Sequence, residues 1–228
     1  MLISLVIPTL NEATKLPYLL ADFARQKVAH EVIVVDGGSC DDTVEVARAS
    51  GAKVLHAQRG RGQQLADGAA LAQGNVLLFL HADSYFPTGG LGRIAEAFAS
   101  NSNIVGGNFR LLFDGADRFS LWLNEFYAWI RGHGVYYGDS GIFVHRSVYR
   151  SIGGIRPIAL MEDYDFVRRL EDAGSTCCID YPPLVTSSRR FAGRHPVAIV
   201  AGWLAIHALY YIGLSPRRLA VLYKSARA

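Results

Sequence analysis

Over its first 81 residues the chain switches repeatedly between two hydrophobic periods, and this constrains the fold more than any other feature. Short apolar runs, "LISLVIP" (2–8), "EVIVVD" (31–36), "KVLHA" (53–57) and "NVLLFLH" (75–81), alternate with "TKLPYLLADFARQ", "GGSCDDTVEVARASG" and "GQQLADGAALAQG". The runs lack a polar alternation, which marks strands covered on both faces; the intervening segments repeat apolar residues at helical spacing. The order β-α-β-α-β-α-β predicts an α/β fold, a doubly wound, mostly parallel sheet with helices on both faces. Asp42 with Glu45 three residues on reads as a capping box for the second helix, and Gly51 as its stop.

Sheets of this kind bind ligands outside the carboxyl ends of their strands. Those ends are Pro8-Thr9, Asp36-Gly37 and His81-Ala82-Asp83, so the polar residues of interest converge on one edge. Downstream, "GGLGRIAEAFAS" reads as a helix, "NIVGGNFRLLF" as a strand and "DRFSLWLNEFYAWIRG" as an aromatic-rich helix. "GIFVHRSVYRSIGG" gives a strand and short helix, and "MEDYDFVRRLEDAG" a helix stopped by Gly174.

Half of the 228 residues are apolar and 19% are charged, enough for a sizeable core. The expected division is a domain over 1–190, with a nucleotide-binding half (1–85) and an acceptor half (86–190), followed by a basic, apolar helical appendage (191–228). Three cysteines without metal spacing read as reduced thiols in the cytoplasm, and the first residues read as a strand rather than a signal peptide. Seven basic residues and no acid follow Asp180, against 16 bases and 20 acids up to and including it. This tail, with Trp203, Tyr210, Tyr211 and Tyr223 interleaved, suits anionic lipid or a phosphorylated partner rather than nucleic acid. "PVAIVAGWLAIHALYYIGL" (196–214) carries no formal charge, but its alanines, glycines and His207 favour a helix packed on the domain, a partner subunit or the inner face of a membrane over a span.

The turn after the first strand, "PTLNE", lacks the glycines of a dinucleotide fold, and no Gly-x-x-x-x-Gly-Lys-Ser/Thr loop occurs. "RGRGQQ" (59–64), before a helix, offers N–H groups and guanidinium to a diphosphate. Asp36 reads either as a turn residue or as an acceptor for a base or ribose. Asp83 reads as a helix cap or as a ligand for Mg²⁺ or Mn²⁺, which favour oxygen. In "MEDYDF", Glu162 and Asp165 would share a helix face with Asp163 pointing elsewhere. The segment reads as a solvated acidic start or as the seat of a catalytic base.

Taken together, "SLVIPTLNE", "VIVVDGGSCDDT", "GRGQQLADGAALAQGNVLLFLHADS", "YGDSGIFVHRSVYRSIGG" and "MEDYDFVRRLEDAG" resemble the family 2 glycosyltransferases of the GT-A fold, over about residues 3 to 175. The compact length and "FLHAD" further resemble a small bacterial subgroup associated with radical-SAM and arsenosugar pathways. The resemblance implies a glycosyltransferase that moves a sugar from a nucleoside-diphosphate donor, a UDP-sugar foremost, to an acceptor hydroxyl with inversion. Pro8, Thr9, Asn11, Glu12, Asp36 and Gly37 would line the nucleotide pocket, and Arg61 and Gly62 would lie near the diphosphate. Asp83 would hold the Mg²⁺ or Mn²⁺, with His81 and Ala82 beside it. His81 is the departure, standing where the family usually has an acid; a neutral imidazole there hydrogen-bonds a ribose, joins the metal shell or packs under the sheet edge. Asp163, helped by Glu162, would be the base; Gly138 and Asp139 would form the acceptor wall; and Arg189 or Arg190 would touch phosphate. The acceptor would be a small molecule or a polyprenyl phosphate, with the C-terminal helix able to form a homo-oligomer. The competing readings are a sugar-phosphate nucleotidyltransferase, which would want a Gly-rich loop where "PTLNE" stands, and a membrane-associated binding protein with a degenerate site.

Overall fold

The computed structural model describes residues 1–225, apart from the side chains of Arg190, Lys224 and Ser225; Arg227 lies outside the described residues. The strands are β1 (Ile3–Thr9), β2 (His30–Asp36), β3 (Lys53–His56), β4 (Val76–Phe79), β5 (Ser84–Tyr85), β6 (Ile104–Phe113), β7 (Ile142–His145) and β8 (Ser175–Thr186). They form one sheet in the order β3-β2-β1-β4-β7-β6-β8-β5. The β1–β2, β1–β4, β2–β3 and β6–β8 pairs are parallel; β4–β7, β6–β7 and β5–β8 are antiparallel. Thr9 lies opposite Asp36, and Asp36 opposite His56, so the carboxyl ends of the first strands share one edge, as the alternation predicts.

The pleat sends successive side chains to opposite faces. Leu5 and Ile7 join Leu16, Leu19, Leu20 and Phe23 of α1 (Leu16–Ala24) in one core layer. Val6 joins the other, against Leu65 and Ala69 of α3 (Arg61–Leu71) and Phe166, Val167 and Leu170 of α7 (Glu162–Ala173). Between these elements lie α2 (Thr43–Ala49), α4 (Gly90–Ser100), α5 (Arg118–Arg131) and α6 (Arg146–Ser151). Gly68 sets how closely α3 approaches the sheet. A Cβ there would sit 2.4 Å from a Val6 methyl and 2.8 Å from one of Val35, so any larger residue pushes the helix away.

Two local expectations are corrected. Asp42 makes no capping bond; Asp41 takes its place, accepting from the Thr43 N–H at 3.1 Å and from its hydroxyl. β4 ends at Phe79, although the Leu80 N–H still donates to Val6. The long strand β8 contains Pro182 and Pro183, which look like breakers in sequence. They lie in a ladder irregularity, where pairing jumps from Phe109–Ile179 to Leu111–Leu184 and asks nothing of the proline nitrogens.

The apolar run from 196 is divided. α8 (Pro196–Tyr211) ends before Gly213, whose φ of +86° turns the chain into α9 (Pro216–Ser225). Sixteen residues span about 24 Å, short of a bilayer's hydrocarbon thickness. Among the described residues no helix is long and apolar enough to cross a membrane. Ile206 of α8 and Leu219 of α9 instead bury against Met161 and Tyr164 at the start of α7.

Candidate active site

At the carboxyl edge, the buried Gln64 amide of α3 donates to the Thr9 and Val35 carbonyls at 2.9 and 2.7 Å, fixing the β1 and β2 ends together. The Gly37 N–H adds a bond to Thr9 at 2.9 Å. Past Pro8 and Thr9, Asn11 adopts a left-handed φ of 57°, which asparagine tolerates better than most residues. Its amide accepts from Cys40 N–H at 2.8 Å and its own N–H donates to Ser39 Oγ at 2.9 Å, so the loops after β1 and β2 are tied. Asp36 is buried and accepts from Gly38 N–H (2.9 Å), Ser39 N–H (3.0 Å) and Ser39 Oγ (2.5 Å). Burial opposes its charge, but these bonds outweigh it and hold the carboxyl below its ordinary range. Asp36 thus fixes the turn after β2, with its carboxyl at the sheet edge.

One guanidinium organises the next group. Arg189, on a turn over Ser188–Phe191, lies 2.9 and 3.1 Å from the Glu12 oxygens and 3.3 Å from Asp83 Oδ2. Burial lifts the Glu12 carboxyl above its usual range, with Arg189 opposing only part of the rise. The Ala82 methyl joins the core, so only its backbone faces the edge. Among the described residues no three His, Cys, Asp or Glu side chains converge as a metal cluster. Asp83 with Glu12 beside it is an all-oxygen pair, partly exposed, that suits a hard cation held by one or two carboxylates and a substrate phosphate. The Arg190 side chain lies outside the described residues.

The acidic helix start is not solvated. Met161, left-handed at φ 67°, precedes α7 and turns both Glu162 and Asp163 inward, where they are 2% and 8% exposed. A non-glycine residue in that region stores about 1–3 kcal/mol of strain, which surrounding packing must hold. Arg61, the first residue of α3, pairs with Glu162 and lies 3.5 Å from Asp163 Oδ2. Glu162 and Asp163 therefore converge, while Asp165 leaves to pair with Arg156 (2.9 Å) and Arg169 (2.6 Å), reversing the expected facing. Arg61 is thus committed to two carboxylates rather than presented freely to a diphosphate. Gly62 is a packing residue: a Cβ there would meet the Arg156 and Ile158 carbonyls at 2.8 and 3.0 Å.

Asp163 also accepts from the Gly138 N–H at 3.0 Å and the Tyr164 N–H at 2.8 Å. Burial works against its charge, but Arg61, these N–H groups and His81 more than compensate, and its carboxyl falls below the usual range. Glu162 goes the other way. Burial and the neighbouring Asp163 charge raise it, with Arg61 opposing. The two neighbouring carboxyls are therefore pushed in opposite directions by their surroundings. The α-carbon of Gly138 separates His81 from Asp163, since a Cβ there would lie 3.2 Å from His81 Nε2 and 3.3 Å from Asp163 Oδ2. His81 therefore faces Asp163, rather than sitting under the sheet edge.

Arg61, His81, Asp139, Glu162 and Asp163 open into a cavity of about 580 Å³. Its other walls come from α5 (Phe126, Tyr127) and α8 (Val200, Trp203, Leu204), together with Leu160. Tyr137 Oη and His207 Nε2 lie 2.9 Å apart within it, and Tyr164 and Tyr211 hydroxyls also meet. None of these aromatic pairings is visible in sequence, because the partners stand 70 and 47 residues apart with no shared motif. The one available signal was the Tyr next to "GDSG".

A family model described as "Glycosyl transferase family 2" matches residues 4–150. A PGL/p-HBAD biosynthesis glycosyltransferase of Mycobacterium tuberculosis is 38% identical over 101 residues, spanning 40% of this chain and 40% of that protein. A 4,4'-diaponeurosporenoate glycosyltransferase of Staphylococcus haemolyticus is 36% identical over 89 residues, 36% of this chain and 24% of that one. The chain thus spans at most about two fifths of these relatives. Among solved structures, the mannosyltransferase PcManGT from Pyrobaculum calidifontis, in complex with GDP-Man and Mn²⁺, superposes with a TM-score of 0.66 at 17% identity, covering 98% of this chain and 73% of that one. S. aureus TarS 1–349 gives 0.65 at 17% identity over 99% and 71%. These structures establish the GT-A fold, and the match over 4–150 is decisive for lineage: the chain belongs to glycosyl transferase family 2.

Proposed function

We propose that the protein transfers a sugar from a nucleoside-diphosphate donor to an acceptor hydroxyl with inversion. The observation that carries this reading is a buried, ionised Asp163 facing a cavity at the same sheet edge as Asp83. Asp163 takes the acceptor proton as the hydroxyl oxygen bonds to the anomeric carbon. The bond from that carbon to the diphosphate oxygen breaks, and the nucleoside diphosphate leaves with its electron pair. Because one oxygen displaces the other directly, configuration inverts and no protein nucleophile is needed. Arg61 keeps Asp163 ionised with His81 favouring the same charge, and the Gly138 N–H orients it.

Asp83, with Glu12, would hold a Mg²⁺ or Mn²⁺, as the Mn²⁺ in the PcManGT complex supports. Bound there, the cation would stabilise the charge developing on the departing diphosphate. The relative named undecaprenyl-phosphate 4-deoxy-4-formamido-L-arabinose transferase makes a polyprenyl phosphate one acceptor to test. Exposed Val197, Leu204, Tyr211 and Ile212, with exposed Arg217 and Arg218, suit the headgroup region of an anionic bilayer.

The test is a thermal-shift panel of UDP-, GDP- and dTDP-sugars with and without Mn²⁺, followed by transfer assays on any hit. Asp163→Asn should keep donor stabilisation and lose transfer by about 10²–10⁴-fold, the usual contribution of a positioned base. Full turnover in that variant refutes the assignment of the base.

A further inference from the structure

The cavity beside Asp163 combines two properties. Aromatic and aliphatic side chains from α5 and α8 form most of its wall, while three carboxylates, Asp139, Glu162 and Asp163, stand at its polar part. All three are buried, at 3%, 2% and 8% exposure. Arg61 is the lining arginine, and its guanidinium is already shared between Glu162 and Asp163. His207 is engaged with Tyr137. The volume, about 580 Å³, lies in the range that encloses a small organic ligand.

We infer that the acceptor is an uncharged alcohol or phenol carried on an apolar body, and that a phosphorylated lipid is disfavoured. The inference rests on the transferase reading above and specifies its acceptor. A polyhydroxylated acceptor would leave its hydroxyls unpaired against Phe126, Leu160 and Trp203, each at a desolvation penalty. A phosphate monoester brings about −1.5 to −2 charges at pH 7 beside three buried carboxylates, two of which already share Arg61. Charges this buried are screened less than surface ones, so the cavity selects against it. A neutral hydroxyl meets neither obstacle, and needs only an acceptor for its proton, which Asp163 provides.

Farnesol and farnesyl phosphate share one apolar body and differ in charge, so they serve as probes. Trp122 and Trp129 are exposed, and Trp203 lines the cavity. A Trp122→Phe/Trp129→Phe protein therefore reports binding through Trp203 alone. At pH 7.5 farnesol should shift its emission to shorter wavelength and saturate, with farnesyl phosphate at least tenfold weaker. Asp163→Asn should shrink that gap several-fold, and Val200→Phe, which fills the cavity, should weaken farnesol at least fivefold. Equal or tighter binding of farnesyl phosphate overturns the inference, as does a gap that Asp163→Asn leaves unchanged. UDP- and GDP-sugar thermal shifts are measured on the same protein. A nucleotide response without farnesol binding overturns the acceptor inference alone, whereas no nucleotide response defeats the transferase reading itself.

Discussion

Arg61→Ala isolates the electrostatics of the site. Arg61 sits between two carboxylates whose side chains are 2% and 11% exposed, and alanine leaves them facing each other with that counter-ion gone. Breaking a buried pair by removing one partner costs about 3–5 kcal/mol, and the lower end applies because Arg61 keeps 37% of its side-chain surface in solvent. For a domain of this size ~3 kcal/mol corresponds to a fall in Tm of about 6–12 °C. The loss depends on pH in a definite direction. Without Arg61 the folded-state carboxyls rise above their unfolded values, so the folded protein binds more protons than the unfolded chain, and the variant loses stability as pH rises. In the wild type the depressed Asp163 acts oppositely, contributing stability above its unfolded pKa that disappears as pH falls. Differential scanning fluorimetry at pH 5 and pH 8 should show a Tm deficit clearly larger at pH 8. A deficit equal at both values would mean that Arg61 contributes by packing, and the assignment of Asp163 as an ionised base would lose its support.

The remaining predictions concern separate parts of the molecule. Gly68→Ala forces α3 off Val6 and Val35 and should cost about 1–3 kcal/mol by urea denaturation; an unchanged midpoint would refute the close approach. Arg189→Ala frees the Glu12 and Asp83 carboxylates, so Mn²⁺ titrated alone and followed by electron paramagnetic resonance should bind several-fold tighter; weaker binding would show that the arginine does not compete with the cation. Glu31 accepts from Lys53, Ser4 and the Gln73 N–H, which overcome its burial and push its pKa down to about 2. Its contribution is therefore present above its unfolded pKa and lost as pH falls towards 2, so the stability gap between wild type and Glu31→Gln should close between pH 5 and pH 2. A gap independent of pH would show that the charge is not what stabilises.

The first half of the fold was legible because buried parallel strands and covering helices leave different periods in the chain, and the converging strand ends follow from parallel topology alone. β8 was not legible, because a strand that bulges around two prolines satisfies its ladder in three dimensions and not in its composition. The site divided in the same way. Asp163, Gly138 and Arg61 stand in recognisable motifs and do meet, but Glu162 faces otherwise than in a helix that is ideal from its first residue. The left-handed Met161 decides where that helix begins to turn, and no propensity announces such a residue. Asp36 and Asp83 were ambiguous for another reason. A carboxylate at a strand end satisfies a turn or an arginine with the same lone pairs it would offer a ligand.

The wall formed by Val200, Trp203 and Leu204 comes from a helix that starts at Pro196, well beyond residues 4–150 that carry the family signature. Arg61, Asp83 and Glu12 lie within that match, whereas Asp163 and this apolar wall both lie beyond it. That helix is built onto the domain's own core, with Ile199 buried in the same layer as Leu5 and Ile7 and Trp203 packed against it. Substitutions at Val200, Trp203 or Leu204 would reshape that wall without touching Glu12, Arg61 or Asp83. Relatives alike over the first 150 residues need not share an acceptor.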